Sequence, residues 1–269
     1  MALPMLLSDL IKTFESLWPS HTAEEWDRVG LVAGSPNQEI KKVLLSVDVT
    51  DEVISDAIRR EANLLLSHHP MLLRPVHDLS ELTLKGNLVS KAIRANLAIF
   101  SAHTNADIAE DGVSESLAKA LGLRKLKPLD EESGAGVVGE IAKSTLVDFA
   151  RHVAKVLPSV AQGIKVSGDP ARQITRVALV AGAGDSYLAN AQKAGVDLFI
   201  TSDLRHHPAQ DFTEQSKLTS GPALMDISHW AAEWIWLDRA AEILKKKHPQ
   251  IEFLVCDVRT DPWDFAVMQ

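Results

Sequence analysis

The sequence is short of cysteine and of net positive charge, and it has no long apolar run. One cysteine, Cys256, stands among 269 residues, so no disulfide can form within the chain. It lies in the run Phe253-Leu254-Val255-Cys256, which reads as buried filler, and a chain of this kind fits a reducing cytoplasm. Acidic residues outnumber basic ones, 36 to 28, for a formal charge of -8. The densest basic cluster, Lys245-Lys246-Lys247, falls at a predicted helix end, where cations complement the helix dipole. A nucleic-acid binder shows a basic face instead, so nucleic acid is not an expected partner. No stretch approaches the ~20 apolar residues that cross a bilayer. Met1–Leu7 has no basic flank and soon meets Asp9, Lys12 and Glu15, unlike a signal peptide. No membrane partner is expected. The Gly-x-Ser-x-Gly elbow, the full Gly-x-Gly-x-x-Gly fingerprint and the P-loop are also missing.

What is present is the patterning of an α/β protein. With 46% apolar residues the chain can bury one large or two modest cores. Leu7, Leu10, Ile11, Phe14, Leu17 and Trp18 recur at helical spacing and predict a helix over 6–18. Lys42–Val49 reads as a strand built on Val43–Val47. Thr50 follows as an N-cap with Asp51 and Glu52 in the first turn, and 63–67 is the next strand, completing a βαβ unit. Its nearly continuous apolar strands imply burial on both faces. Further helices are predicted near 86–95, 113–121, 145–156 (capped by Ser144), 186–194 and 230–247. Further strands are predicted at 97–100, 137–141, 164–166, 177–180, 196–201, 223–227 and 251–258. Gly122 is a C-cap. Gly134-Ala135-Gly136 reads as a boundary. The chain is accordingly divided into a metal-binding lobe, 1–125 plus 222–269, and a cleft-covering lobe, 126–221.

An internal echo supports two related lobes. Twice a strand, a helix and a strand lead to a His-His pair, His68-His69 and His206-His207. After each pair one more strand ends at a single histidine, His103 and His229, with an acid four residues on, Asp107 and Glu233. Ligand sites in α/β sheets form beyond the carboxyl ends of strands, which is where His68-His69, His103 and His229 fall. At i,i+4 spacing, each His–acid pair shares a helix face. Four imidazoles and two carboxylates exceed the needs of one tetrahedral zinc and suit two divalent ions, zinc, iron or manganese. His206-His207 sit farther from their strand and read equally as cleft lining or as surface. His21, His77, His152 and His248 read as surface residues, and Glu24, Glu25 and Asp27 as ordinary surface acids. Ala181-Gly182-Ala183-Gly184 reads as a turn into a helix. Trp230 and Trp234 share a helix face, as packing or as a pocket wall.

Several motifs together resemble the Nif-three-like family, homologues of GTP cyclohydrolase I type 2. They are Glu25-Trp26-Asp27-Arg28-Val29-Gly30-Leu31, Val47-Asp48-Val49-Thr50, Ser67-His68-His69-Pro70, His103-Thr104-Asn105-Ala106-Asp107, Thr201-Ser202-Asp203 with His206-His207, and His229-Trp230-Ala231-Ala232-Glu233. The resemblance implies two α/β lobes with mixed sheets and a dinuclear metal site in the cleft between them, held by His68, His69, Asp107, His229 and Glu233 with His103 beside them. It also implies a cytoplasmic, ring-shaped homo-oligomer, commonly a hexamer, acting on a small molecule such as a nucleotide. Ser202 and Ser228 stand where the family usually carries glycine.

The expectation is therefore a dinuclear-metal-dependent hydrolase with GTP cyclohydrolase-like ring opening as its reaction, and His103 as its proton-transfer residue. The alternative is a non-catalytic metal protein serving storage, delivery or scaffolding. A closed ligand sphere would favour that alternative, and an open position would favour catalysis.

Overall fold

The structure is a computed structural model that describes residues 4–267. The first three positions of the leading stretch Met1–Leu7 lie outside the described residues. The strands are β1 (Gly30–Ala33), β2 (Lys42–Ser46), β3 (Leu64–Ser67), β4 (Ala98–Ser101), β5 (Arg124–Pro128), β6 (Val137–Thr145), β7 (Lys165–Ser167), β8 (Gln173–Ala183), β9 (Leu198–Ser202), β10 (Ala223–Asp226) and β11 (Glu252–Val255). The helices are α1 (Leu7–Leu17), α2 (Asp51–Arg59), α3 (Leu84–Arg94), α4 (Thr104–Asp107), α5 (Val113–Ala120), α6 (Leu146–Val156), α7 (Leu188–Lys193), α8 (His206–Thr219) and α9 (His229–Lys247). None of the helices is long and apolar enough to cross a membrane.

The chain forms two compact units. The first runs through Ala109 and takes in Leu237–Thr260; the second comprises Glu110–Trp236 and the segment from Asp261 onward. These bounds differ from those read in the sequence, and pairing explains why. Strand β10 lies between β9 and β7, and Ser114 at the start of α5 accepts a hydrogen bond from the backbone of Ala181 in β8 (3.1 Å). Both segments therefore go with the second unit.

In the first unit the sheet order is β1-β4-β3-β2-β11. Strands β11, β2, β3 and β4 run parallel, and β1 closes one edge antiparallel to β4. Strands β2, β3 and β4 are in register at their carboxyl ends, where Ser46 lies opposite Ser67 and Ser67 opposite Ser101. The core joins Leu44, Leu65 and Ile99 to Val53, Ile54 and Ala57 of α2 and Leu88 of α3, and each such side chain contributes ~1.5–3 kcal/mol on burial. Thr50 caps α2 as read, accepting from the Val53 N–H (3.2 Å). Cys256 is buried in this core. Desolvation pushes its thiol up to about 11, so it is protonated at neutral pH and serves as filler.

In the second unit the order is β5-β6-β8-β9-β10-β7. Strands β8, β9 and β10 are parallel, and the outer strands are antiparallel to their neighbours. Ala178, Val180, Leu188, Phe199, Phe212 and Leu224 belong to its core. Gly134-Ala135-Gly136 is no domain boundary: it closes the β5–β6 hairpin, where the Leu129 N–H bonds to Gly136 O (3.2 Å). Thr145, not Ser144, caps α6, since its hydroxyl accepts from the Asp148 N–H (3.2 Å). Ala181-Gly182-Ala183 continues β8 rather than turning into a helix, and Asp185 starts the short helical turn that precedes α7. Strand β5 and helix α8 have no counterpart in the sequence reading.

Candidate metal centre

The parallel register of the first unit sets three chain turns side by side at one sheet edge. Past β2 comes Asp48, past β3 come His68 and His69, and past β4 comes His103. The ladder continues into these turns. The His68 N–H bonds to Ser46 O (2.9 Å), the His69 N–H to Val47 O (2.8 Å) and the Ala102 N–H to Ser67 O (3.0 Å). Asn105 accepts from the His103 N–H (2.9 Å) and donates to Trp18 O (2.7 Å). It thereby fixes the single-turn helix α4, which carries Asp107 one turn beyond His103.

Three imidazoles converge there. His68, His69 and His103 each offer a ring nitrogen within 4.8 Å of the other two, with ring centroids 5.1–5.3 Å apart. The Nδ1 of each ring meets an acceptor: Ala102 O for His68 (2.9 Å), Asp48 Oδ1 for His69 (2.7 Å) and Asp27 Oδ1 for His103 (2.9 Å). A carbonyl or carboxylate oxygen requires a proton on Nδ1, which leaves the lone pair on Nε2. Asp107 Oδ1 is 3.6 Å from His68 Nε2. That is long for a hydrogen bond but close to the ~3.4 Å separation of two donors each ~2.1 Å from a tetrahedral ion. The donor set therefore fits a divalent cation in chemistry and in spacing.

Two of these anchors escaped the sequence reading. Asp27 is buried rather than a surface acid. Desolvation would raise its pKa, yet hydrogen bonds from His103, the Thr104 hydroxyl and the Arg28 N–H hold its carboxyl well below the usual carboxylate range. Asp48 accepts from both His69 and the Thr260 hydroxyl. The only sequence signal for either residue is its place in a family motif. Lys85 of α3 is half-buried. Burial pulls its pKa down against the opposing charge of Asp48.

The second unit holds the other pair. His229 and Glu233 open α9, with His229 Nε2 2.9 Å from Glu233 Oε1. Asp203, just past β9, accepts a hydrogen bond from His229 Nδ1 (2.8 Å), which repeats the construction of the first unit. Burial depresses the His229 pKa, but the charges of Glu233 and Asp203 outweigh it and raise it well above the ordinary value. Gly182 in β8 backs the pair at φ +77°, and a Cβ there would stand 2.6 Å from Glu233 Oε1 and 3.4 Å from His229 Nε2. Ser228 is not idle in a glycine's place. It caps α9 through the Ala231 N–H (3.2 Å) and donates to Asp261 (2.6 Å).

The remaining candidates fall elsewhere. His206 and His207 begin α8, exposed, with their rings 5.1 Å apart. His152 is exposed, as read, and bonds to Leu121 O, whereas His248 is partly buried and bonded to the Thr13 hydroxyl. Trp230 is buried, with its ring 6.3 Å from that of Trp234.

Comparison with known proteins adds a family to this geometry. Residues 5–262 match the Duf34/NIF3 (NGG1p interacting factor 3) family. A Streptomyces coelicolor relative named GTP cyclohydrolase 1 type 2 homolog is 40% identical over 96% of this chain and 93% of its own length. A Clostridium perfringens relative of the same name is 33% identical over 97% and 100%. Among solved structures, a Bacillus cereus protein related to NIF3 superposes with a TM-score of 0.90 at 22% identity, covering 98% of this chain and all of that one. A Staphylococcus aureus protein gives 0.88 at 26% identity with the same coverage.

Proposed function

The chain belongs to the Duf34/NIF3 family, and on that footing we propose that it is a hydrolase of small molecules that works with two divalent metal ions. The observation that carries this reading is the trio His68, His69 and His103, each with its Nδ1 anchored and its Nε2 in the lone-pair tautomer. An oxygen that holds the Nδ1 side of the ring in this way is the mark of imidazoles prepared to ligate. His68, His69 and Asp107 are assigned as ligands from the first unit, and His229 and Glu233 as ligands from the second. Each unit carries a His–acid pair one helical turn apart, His103–Asp107 and His229–Glu233, with an aspartate behind the histidine. Zinc, iron and manganese all suit imidazole–carboxylate donors. Ions of this class supply Lewis acidity, polarising a substrate oxygen and acidifying water towards neutral pH.

The chain's own residues supply the rest. Asp27 accepts a hydrogen bond from His103 Nδ1, which puts the ring's lone pair on Nε2, so His103 is assigned proton transfer between water and the departing group. Asp48 and Asp203 orient His69 and His229 in the same way. The name shared by the relatives makes ring-opening hydrolysis of GTP the first reaction to assay.

The test is elemental analysis of the purified chain after loading with zinc, manganese or iron(II), together with turnover. Two ions per chain are expected, falling to one or none in His68→Ala and in Glu233→Gln with the fold retained. His103→Gln should keep both ions and lose at least ~100-fold in rate, the usual scale of a lost general base. Full metal content in a His68→Ala/His69→Ala chain would sink the assignment. Two ions without turnover on GTP or phosphoesters would instead favour storage or delivery.

A further inference from the structure

Two tryptophans among the described residues are strongly exposed, Trp26 and Trp263, and Trp26 stands beside the imidazole trio. Its ring meets that of His103 edge-on, at 5.9 Å between centroids and 79° between planes, yet 55% of the residue is open to solvent. The backbone on both sides is pinned. The Glu24 N–H bonds to the Thr104 hydroxyl (3.0 Å), the Asp27 N–H closes a turn onto Glu24 O (2.9 Å), and the buried Asp27 carboxylate receives His103 and the Thr104 N–H. An indole set between two anchored residues loses little further freedom when something stacks on it, so affinity is not spent on ordering it.

Folding does not explain this placement. Trp18, Trp230 and Trp236 are all buried, as large aromatics usually are, whereas Trp26 leaves an apolar face in water next to the polar cluster. An exposed aromatic face at the rim of a candidate site is a contact surface for a ligand.

We propose that Trp26 is the stacking platform of this site and that the substrate carries a planar nitrogen heterocycle of the nucleobase type, laid on the indole so that its reactive bond reaches the His103 side. The proposal rests on the reading of the trio as the metal centre and adds the substrate's shape to it. Stacking on an indole tolerates different bases because each has a π-face. Discrimination among bases would then come from other contacts, while Trp26 sets the requirement for a flat ring.

Indole N–H NMR on the full, metal-loaded chain tests this. The chain has six tryptophans, and the Trp26 signal is assigned by its loss in Trp26→Phe. Guanosine, adenosine and uridine are titrated in turn, with ribose as the ring-free control. At least one nucleoside should shift the Trp26 signal saturably, and ribose should not. Trp26→Phe should bind that nucleoside within about threefold of the native chain, and Trp26→Ala about tenfold or more weakly, both with metal content unchanged. If no nucleoside moves the Trp26 signal, or only the other indoles move, the platform is overturned while the metal count stands on its own. If the Trp26 signal follows protein concentration instead, the ring is a contact between copies and the proposal fails. A stripped chain whose Trp26 still responds would keep the platform, while metal content alone decides the metal reading.

Discussion

Asp27 shows how much of a site can rest on a residue that touches no ligand. Its carboxylate is buried at the foot of His103, and its replacement by Asn keeps the volume but removes the charge that fixes the imidazole tautomer. Losing such a partner typically costs about 10- to 100-fold in affinity or activity. Because His103 is assigned proton transfer, Asp27→Asn should show that loss in turnover, with metal content and secondary structure unchanged; native turnover would remove Asp27 from the site. Gly182 acts by absence. With φ at +77° and Glu233 Oε1 2.6 Å from the place a Cβ would take, Gly182→Ala strains the backbone and displaces the carboxylate. About 1–3 kcal/mol should be lost in urea unfolding, the scale of a strained left-handed residue. At this scale the sequence singled out six candidate residues, because their types and i,i+4 spacings are local facts. It was not readable for Asp27, because an acid in a polar stretch gives no sign of burial until the turn that carries it is fixed by Thr104, far along the chain.

At the scale of elements, legibility followed patterning. Helices α1, α2, α3 and α9 and the buried strands β3 and β4 lie within a residue or two of where their apolar spacing put them, and β2 begins at Lys42 as read but ends at Ser46, short of Val49. Helix α8 was missed because Phe212 is its one buried residue, so it has no apolar stripe to read. Its early Pro208 suggests a break but sits in the first turn, where proline is tolerated. Strand β5 was missed because Arg124, Lys125 and Lys127 are exposed, and the ladder to β6 slips between Arg124 and Lys127. The cap of α6 was placed one residue early, and that difference can be measured. Thr145→Ala should cost ~1 kcal/mol, the usual value of a lost N-cap, while Ser144→Ala should stay within about 0.5 kcal/mol. Equal effects in a denaturant titration would return the cap to Ser144. Asp197 offers a second element-level test. Desolvation would raise its pKa, but the Arg176 and Thr175 N–H groups and the Thr175 hydroxyl hold it lowered. A depressed carboxyl stabilises the fold above its unfolded pKa, near 3.9, and that stability is lost as pH falls through the folded pKa. The gap between the native chain and Asp197→Asn should therefore be full at pH 7 and close in strong acid. A gap that stayed constant down to pH 2 would contradict the linkage.

For the whole molecule, the sequence echo was informative about two units and misleading about their sites. Both His-His pairs follow a strand, but His68 and His69 continue the ladder of β3 directly, whereas Asp203 turns the chain after β9 with φ +56° and His206-His207 come to rest exposed on α8. The two pairs are alike in order and unlike in placement, since one left-handed residue decides which way a strand end points. The units also interleave along the chain: the first is completed by Leu237–Thr260 and the second by the segment from Asp261. Metal binding should therefore register as stability of the folded chain, because the assigned ligands His68, His69 and Asp107 are apart in the unfolded chain and gathered by β3, β4 and α4 on folding. A ligand held at 100 times its dissociation constant stabilises by ~2.7 kcal/mol. At about 2–4 °C per kcal/mol for a chain of this size class, chelation should lower the melting temperature by roughly 5–10 °C. The drop should vanish in His68→Ala/His69→Ala, whose melting temperature should be the same with and without metal. A native chain that melts at one temperature whether loaded or stripped would mean that the imidazole trio, however well anchored, closes on nothing.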